Sequence, residues 1–252
     1  MPSFLKQPDS EVVVVDYSCP DGTTAYVQSN YPAVRVVRVP DQQGFSVTHA
    51  RNVGAQAARG KLLAFLDADV IIADHFIAYA RKHVTAGKYG VLEGADQLRG
   101  CCVVTAADYE KVGGYDEAMH GYVAEDIEFC DRLKLAKCEK VALDPRVIVE
   151  SIAHSDQERV RFYDSGIRLA YVQGKIYRTM KAMLLKQTGR LELELEMRRQ
   201  LFAQIREVVR DPKAFEDQGF RVEVELPVLK AAGFVPNCEF TRTLVVGAKL
   251  RK

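Results

Sequence analysis

The residues best suited to chemistry in this chain are Asp67 and Asp69. They follow the apolar run Leu62-Leu-Ala-Phe-Leu66, with one alanine between them. A buried strand that delivers two carboxylates to its C-terminal end is a way to hold a divalent cation at a sheet edge, because hard carboxylate oxygens suit Mg2+ or Mn2+. Residues on either side of Ala68 project the same way if the strand persists. Two carboxylates in one crevice repel each other unless something positive sits there. A cation held in that way suits a substrate that carries phosphates. A second acidic pair, Glu125-Asp126, stands at the start of a helical pattern, where acids also meet the helix macrodipole favourably.

These acids need elements to position them. Glu11-Val-Val-Val-Val15 is a short β-branched run ending at Asp16, and Pro20-Asp-Gly22 supplies turn chemistry before a helix from Thr23. Val34 to Val39 reads as a strand closed by Pro40. A helix from Ser46 to Arg59 carries a narrow face of small residues, and Gly60 stops it. Tyr89 to Glu93 and Cys101 to Thr105 read as strands, and Ala106 to Val112 as a short helix stopped by Gly113-Gly114. A helix runs from Ile127 to Ala136, and a further strand from Val147 to Ile152. This alternation of strand and helix predicts an α/β fold with a parallel or mixed sheet flanked by helices. Beyond Ser155 the pattern turns helical, over Val160 to Leu185 and Leu191 to Val209. The start of the second helix is ambiguous because Leu191 to Leu195 alternates with Glu. Arg221 to Leu226 and Thr243 to Val246 are strand-like.

Composition bounds the rest. The chain has 252 residues, 48% of them hydrophobic, and a net charge of +1 from 35 basic and 34 acidic side chains. Such balance offers no electrostatic case for nucleic-acid binding. The six cysteines show no Cys-x-x-Cys spacing and read as reduced thiols. No apolar run reaches the ~20 residues of a membrane helix and no signal pattern opens the chain, so a cytoplasmic protein without a transmembrane segment is expected. The basic tail Gly247-Ala-Lys-Leu-Arg-Lys252 reads as solvated, with at most weak contact to an anionic membrane surface.

Three ordered blocks resemble glycosyltransferase family 2. They are Val12-Val-Val-Val-Asp16-Tyr-Ser-Cys-Pro-Asp-Gly-Thr23, His49-Ala-Arg-Asn52 through Asp67-Ala-Asp69, and Gly113-Gly-Tyr-Asp116 through Glu125-Asp126-Ile-Glu-Phe129. The third block is especially similar to the C-terminal module of galactosyltransferases. The resemblance covers about residues 10 to 160. It implies a GT-A fold, a Rossmann-like mixed sheet flanked by helices, with a C-terminal helical appendage beyond it. We expect a catalytic domain over residues 1–157 and a mainly helical extension over residues 158–252.

The same resemblance implies a metal-dependent, inverting transfer of a hexose from a nucleoside-diphosphate sugar, most readily a UDP-sugar, to a hydroxyl of a saccharide or glycolipid acceptor. Asp69 is then the direct ligand of Mn2+ or Mg2+, and Asp67 binds the ribose or reaches the ion through water. His154, after the strand Val147 to Ile152, completes the metal site and favours Mn2+. Asp16, Arg51 and Asn52 face the nucleotide-sugar. Asp126 matches the position of the base that takes the acceptor proton, a role worth about 10²–10⁴-fold. Glu125 orients the acceptor. Adjacent carboxylates point in different directions, and the sequence leaves open which of the two faces the donor. One departure stands out. Relatives open with a strand and a Pro-x-x-Asn-type loop before the helix that Met1-Pro-Ser-Phe-Leu-Lys-Gln-Pro8 resembles, so the opening strand is missing here. That departure favours an alternative, a non-catalytic sugar-nucleotide-binding or scaffold protein on the same fold. Nucleotidyl transfer ranks behind both, because it leaves Glu125-Asp126 without a task.

Overall fold

The computed structural model describes residues 1–40, 44–92, 100–121, 123–151, 167–210, 220–226 and 242–248. Its centre is a four-stranded mixed sheet ordered β3 (Leu62–Phe65), β6 (Cys102–Thr105), β5 (Lys88–Leu92), β7 (Glu139–Leu143). β6 runs antiparallel to both β3 and β5, and β7 runs parallel to β5. Strand alternation sorts the side chains onto two faces. Leu63, Phe65, Cys102 and Val104 meet α5 (Ala106–Lys111) and α6 (Glu125–Leu135) in one core. Leu62, Ala64, Cys101 and Val103 meet α4 (Phe76–His83) in the other. Thus an apolar run with no obvious period is buried on both sides, as expected of a strand covered by helices on each face.

A second, parallel pair, β1 (Val13–Asp16) and β2 (Arg35–Arg38), stands beside this sheet without being hydrogen-bonded to it. α2 (Thr23–Asn30) joins the two strands. α3 (Val47–Ala57) carries the chain on from β2 to β3. Ser46 caps α3 by accepting the His49 amide at 3.3 Å, and Glu11 receives the Arg59 and Gly60 amides beyond its far end. Gly54 lets α3 lie close to β1, since a Cβ there would stand 3.2 Å from Val15. Residues 2–5 form the short α1 (Pro2–Leu5), which is anchored by Gln7 to the Ala73 carbonyl and the Ile77 amide.

The structure corrects or extends several expectations. β3 stops at Phe65, so Asp67-Ala68-Asp69 is a turn leading into β4 (Val70–Ile72), and strand alternation does not govern where the two acids point. β4 pairs antiparallel with β8 (Ile148–Ser151). Neither β4 nor β7 was legible as a strand, the first for its three-residue length and the second for its charged start, Glu139-Lys140. The C-terminal segment contributes α7 (Ile167–Thr188), α8 (Leu195–Val208) and an antiparallel hairpin of β9 (Phe220–Leu226) and β10 (Arg242–Ala248). Residues 191–194 are not helical. Leu193 is buried and Glu192 turns toward a buried ion network, so the alternating Leu/Glu stretch serves an extended link. α7 and α8 share one core with Met119 and Val123 of the loop before α6. Cys19, Cys101, Cys102, Cys130 and Cys138 are free thiols. No helix among the described residues is long and apolar enough to cross a membrane. Residues 249–252 of the basic tail lie outside the described residues.

Candidate active site

Three elements converge on Arg51, on the second turn of α3. Its guanidinium reaches Asp67 at 3.1 Å in the β3–β4 turn and Glu125 at 3.6 Å on the first turn of α6. It lies 5.0 Å from the centroid of the Tyr115 ring, a cation–π contact that supports the charge from below. The Arg51 Nη1 is buried without a hydrogen bond, and its side chain is only 12% exposed. Burial opposes the guanidinium charge, but Tyr115, Glu125, Asp67 and Asp126 outweigh it and hold the pKa above its usual value. Gly100, at the entry to β6, packs so close that a Cβ would come within 2.8 Å of an Asp67 oxygen and 3.0 Å of Arg51. A side chain there would push the Asp67 carboxylate or the Arg51 guanidinium aside.

The acidic pair at the head of α6 is destabilised as an anion. Glu125 is pushed up to about 7, first by burial and then by Asp126, against the pull of Arg51. Asp126 is also raised, chiefly by burial, with the Ile127 amide and Arg51 opposing. Both acids feel Asp67. Ala124, the residue before them, holds a left-handed backbone (φ 59°) that aims the start of the helix. Asp67 and Asp69 are both partly exposed, and both act on the Cys101 thiol, which burial raises to about 12. The two acidic turns therefore share one electrostatic neighbourhood. Excess negative charge, hard oxygen donors and an unsatisfied guanidinium nitrogen are together the donor set a divalent cation and an anionic ligand require.

Asp16 and Asn52 are committed to the protein itself. Asp16 is 4% exposed and accepts the Cys19 amide, the Thr24 amide and the Thr24 hydroxyl. The Thr24 hydroxyl, more than anything else, lowers its pKa, although burial opposes. Asp16 thus organises the turn into α2. The Asn52 amide donates to the Tyr115 carbonyl at 2.9 Å and to Glu117 at 2.7 Å. Its oxygen accepts the Tyr109 hydroxyl at 2.5 Å and the Tyr115 amide at 2.8 Å. Both donors and the oxygen of this side chain are engaged within the protein, where they hold the 113–117 turn. Gly114 (φ 71°) completes that turn, since a Cβ would stand 2.7 Å from the Tyr109 hydroxyl. His154 lies outside the described residues. His49 is hydrogen-bonded to the Tyr17 hydroxyl at 2.9 Å.

Sequence reasoning missed a second charged cluster behind the site. Asp116, fully buried, accepts Lys181 at 2.6 Å, Arg198 at 2.6 Å and the Tyr177 hydroxyl at 2.5 Å. Lys181 also reaches Glu128 and Glu192, each at 2.8 Å. Arg132 grips Glu128 with two bonds of 2.7 Å. Burial works against ionisation of Asp116, but Lys181 and Arg198 hold its pKa well below the usual carboxylate range. Asp116, Glu128 and Glu192 lie close enough together for a metal ion. The Lys181 ammonium already occupies their midst, and Arg132 and Arg198 complete the neutralisation. This is an ion network that ties α7 and α8 to the loop before Glu125. Lys181, a charge set on the buried Tyr177–Met180–Leu184 face of α7, is the sequence signal that could have revealed it.

Comparison with known proteins agrees with this geometry. Residues 2–97 match the family model of glycosyl transferase family 2, and residues 80–181 match that of the N-terminal domain of galactosyltransferase. The third sequence block falls inside the second match. No curated protein matches the chain significantly. Among solved structures the fold is similar to that of the mannosyltransferase PcManGT from Pyrobaculum calidifontis in complex with GDP-Man and Mn2+. That match has 18% identity and a TM-score of 0.54, and covers 81% of this chain and 68% of that one. It is also similar to S. aureus TarS 1–349, with 16% identity and a TM-score of 0.51, covering 86% of this chain and 69% of that one. These likenesses identify the architecture as GT-A.

Proposed function

We propose that this chain, whose residues 2–97 match the glycosyl transferase family 2 model on a GT-A fold, is a glycosyltransferase that moves a hexose from a nucleoside-diphosphate sugar to a hydroxyl of a saccharide or glycolipid acceptor, with inversion at the sugar carbon. The observation that carries this reading is Arg51 bridging Asp67, on the donor-side turn, to Glu125, on the acceptor-side helix. One guanidinium places the two halves of a transfer site within reach of each other.

Asp69, with Asp67, would hold a divalent cation, Mn2+ or Mg2+. When bound, such an ion acts as a Lewis acid on the leaving diphosphate. Mn2+ in the complex of the similar mannosyltransferase supports the first choice. Arg51, whose Nη1 lies 3.6 Å from Glu125 without a hydrogen bond, would turn to the diphosphate, a task suited to a planar, permanently charged group. Asp126 takes the acceptor proton as the hydroxyl attacks in line from the face opposite the leaving group. Its raised pKa brings it nearer the range in which a base can accept a proton and return it to solvent. Glu125, tied to Arg51, orients the acceptor and couples its position to the donor side. Asp16 and Asn52 act as positioning residues.

The test is release of UDP from UDP-hexoses with and without Mn2+ and an acceptor panel. Metal-stimulated release is expected. Turnover undiminished by Asp69→Ala would refute the metal role, and donor binding without release across the panel would refute transfer.

A further inference from the structure

The loop that leads to the acidic pair is pinned along its length. Asn52 holds Tyr115 and Glu117, and Lys181 and Arg198 hold Asp116. The Thr48 hydroxyl donates to the Met119 carbonyl at 3.5 Å, and Gly174 is packed on the Val123 main chain. Between these last two anchors stands His120, an exposed residue whose ring lies 6.5 Å from that of Phe202 on α8. Arg199 and Arg206, both exposed, flank the buried Phe202. The seven residues between them make two helical turns to within about 20°, a rise of about 10 Å, so both arginines lie along one edge of α8. Both act on the His120 ring. Burial, and then Arg206 and Arg199, hold its pKa below the usual value, with Asp116 and Glu117 opposing. A neutral imidazole still offers one N–H.

These two arginines lack a counter-charge. Arg178, Arg190, Arg198 and Arg210 of the same C-terminal segment each have a carboxylate partner. Among the described residues Arg199 and Arg206 have no ion pair or hydrogen bond. The acids around them are already engaged: Asp116 by Lys181 and Arg198, Glu117 by Asn52, Glu196 by Gln200 and Glu207 by Arg210. Two uncompensated guanidinium groups beside a fixed ring on the acceptor-side loop make an anion site of built geometry.

We propose that Arg199, Arg206 and His120 form a subsite for a phosphate group carried by the saccharide acceptor, an assignment that rests on the proposed transfer. Charge selects phosphate over carboxylate. A phosphate monoester carries about −1.5 to −2 at pH 7, which two guanidinium groups match, whereas a carboxylate leaves one of them uncompensated. Guanidinium groups also grip phosphate through paired, parallel N–H···O bonds. Position selects the acceptor. His120 stands five residues before Glu125, at most about 18 Å of extended chain away. Thr48 and Arg51, one turn apart on α3, touch Met119 and Glu125 respectively. The phosphate therefore sits to the side of the reacting hydroxyl, on a neighbouring sugar unit, and fixes which hydroxyl meets Asp126. Arg199 and Arg206 decide specificity and take no part in the chemistry. The C-terminal helices thereby choose the acceptor as well as seating α6.

Calorimetric titration of the 252-residue chain, without nucleotide, tests the subsite. The probes are maltose, lactose and cellobiose, each as the neutral sugar and as its 1-phosphate, and inorganic phosphate alone. At least one sugar phosphate is expected to bind about tenfold more tightly than both its neutral sugar and inorganic phosphate, and to weaken as salt is raised. Arg199→Gln and Arg206→Gln should each weaken that binding about three- to tenfold. The double variant should bind the sugar phosphate no better than the neutral sugar, with its melting temperature unchanged because both side chains are exposed. With a UDP-hexose present, Arg206→Gln should raise KM for the phosphorylated acceptor more than it lowers kcat. Three results would overturn the subsite: no gain from the phosphate on any sugar, inorganic phosphate bound as tightly as every sugar phosphate, or undiminished binding in the double variant. The titrations use no donor, so their failure leaves the transfer reaction standing. Absence of UDP release with sugar-phosphate binding intact would overturn transfer alone and leave a binding site for phosphorylated saccharides.

Discussion

Gly174 of α7 faces the main chain of Val123 so closely that a Cβ at 174 would lie 2.1 Å from the Val123 carbonyl oxygen. Val123 is two residues before Glu125. The C-terminal helices are thus seated directly on the backbone that sets the acidic pair.

Gly174→Ala should therefore damage the protein in two ways. Overpacking against main chain that has nowhere to move costs on the order of 1–3 kcal/mol or more. The melting temperature should fall, and transfer should fall further than stability alone explains, because the start of α6 shifts. Alanine is otherwise the better helix residue by about 1 kcal/mol, so a more stable Gly174→Ala variant would contradict the close seating.

Lys181→Met removes the ammonium from among Asp116, Glu128 and Glu192. Three carboxylates, the buried Asp116 and Glu128 and the part-buried Glu192, then face two guanidinium groups, and breaking a buried pair costs about 3–5 kcal/mol. Urea unfolding at pH 7 should show the loss. The pH response should also invert. In the native chain Asp116 has a depressed pKa, so its contribution is complete above about pH 4 and is lost as pH falls below that. In the variant, lowering the pH from 7 to 5 should raise stability, because protonation relieves the excess charge.

Glu125 carries the opposite sign. Its folded pKa of about 7 lies above the ordinary 4.5, so between these values the folded state holds a proton that the unfolded state has lost. Stability falls as pH rises through that window, by on the order of 3 kcal/mol in full above pH 7. Glu125→Gln should match the native melting temperature near pH 4.5 and exceed it at pH 8. In kinetics, kcat/KM should fall as pH drops through about 7, and the glutamine variant should lack that limb. Asp126→Asn should abolish transfer at every pH.

Ala124→Gly relieves a left-handed backbone that costs an alanine roughly 1–2 kcal/mol. The variant should be more stable by about 1 kcal/mol, measured by thermal unfolding, since the gain is reduced by the greater freedom of glycine in the unfolded chain.

Much of this was legible beforehand, for reasons that lie in the residues. The alternation of β-branched runs with helical periods gave α3, β3, β6 and α6, whose burial is local and repetitive. Ser46 and Gly60 bounded α3 closely, because caps and breakers act within a turn. Asp67 and Glu125 were singled out by type and spacing and Arg51 by the resemblance, and the structure brings the three together. What escaped was set by partners distant in sequence. Asn52 and Asp16 look the same in a sequence whether they face a ligand or their own loop, and only the positions of Tyr109, Tyr115 and Thr24 decide. Asp116 meets Lys181 and Arg198 across 65 and 82 residues, a separation no local pattern reports. The turn at Asp67-Ala68-Asp69 escaped too, because a strand and a strand followed by a turn present the same apolar run.

The sharing of Arg51 bears on the order in which ligands arrive. Asp67, Glu125 and Asp126 all act on that one guanidinium, so the free cleft is acidic and repels a pyrophosphate approaching alone. A positive ion entering first, or escorting the nucleotide, reverses the sign of the local field. Its concentration would then govern the donor's association rate as well as its affinity.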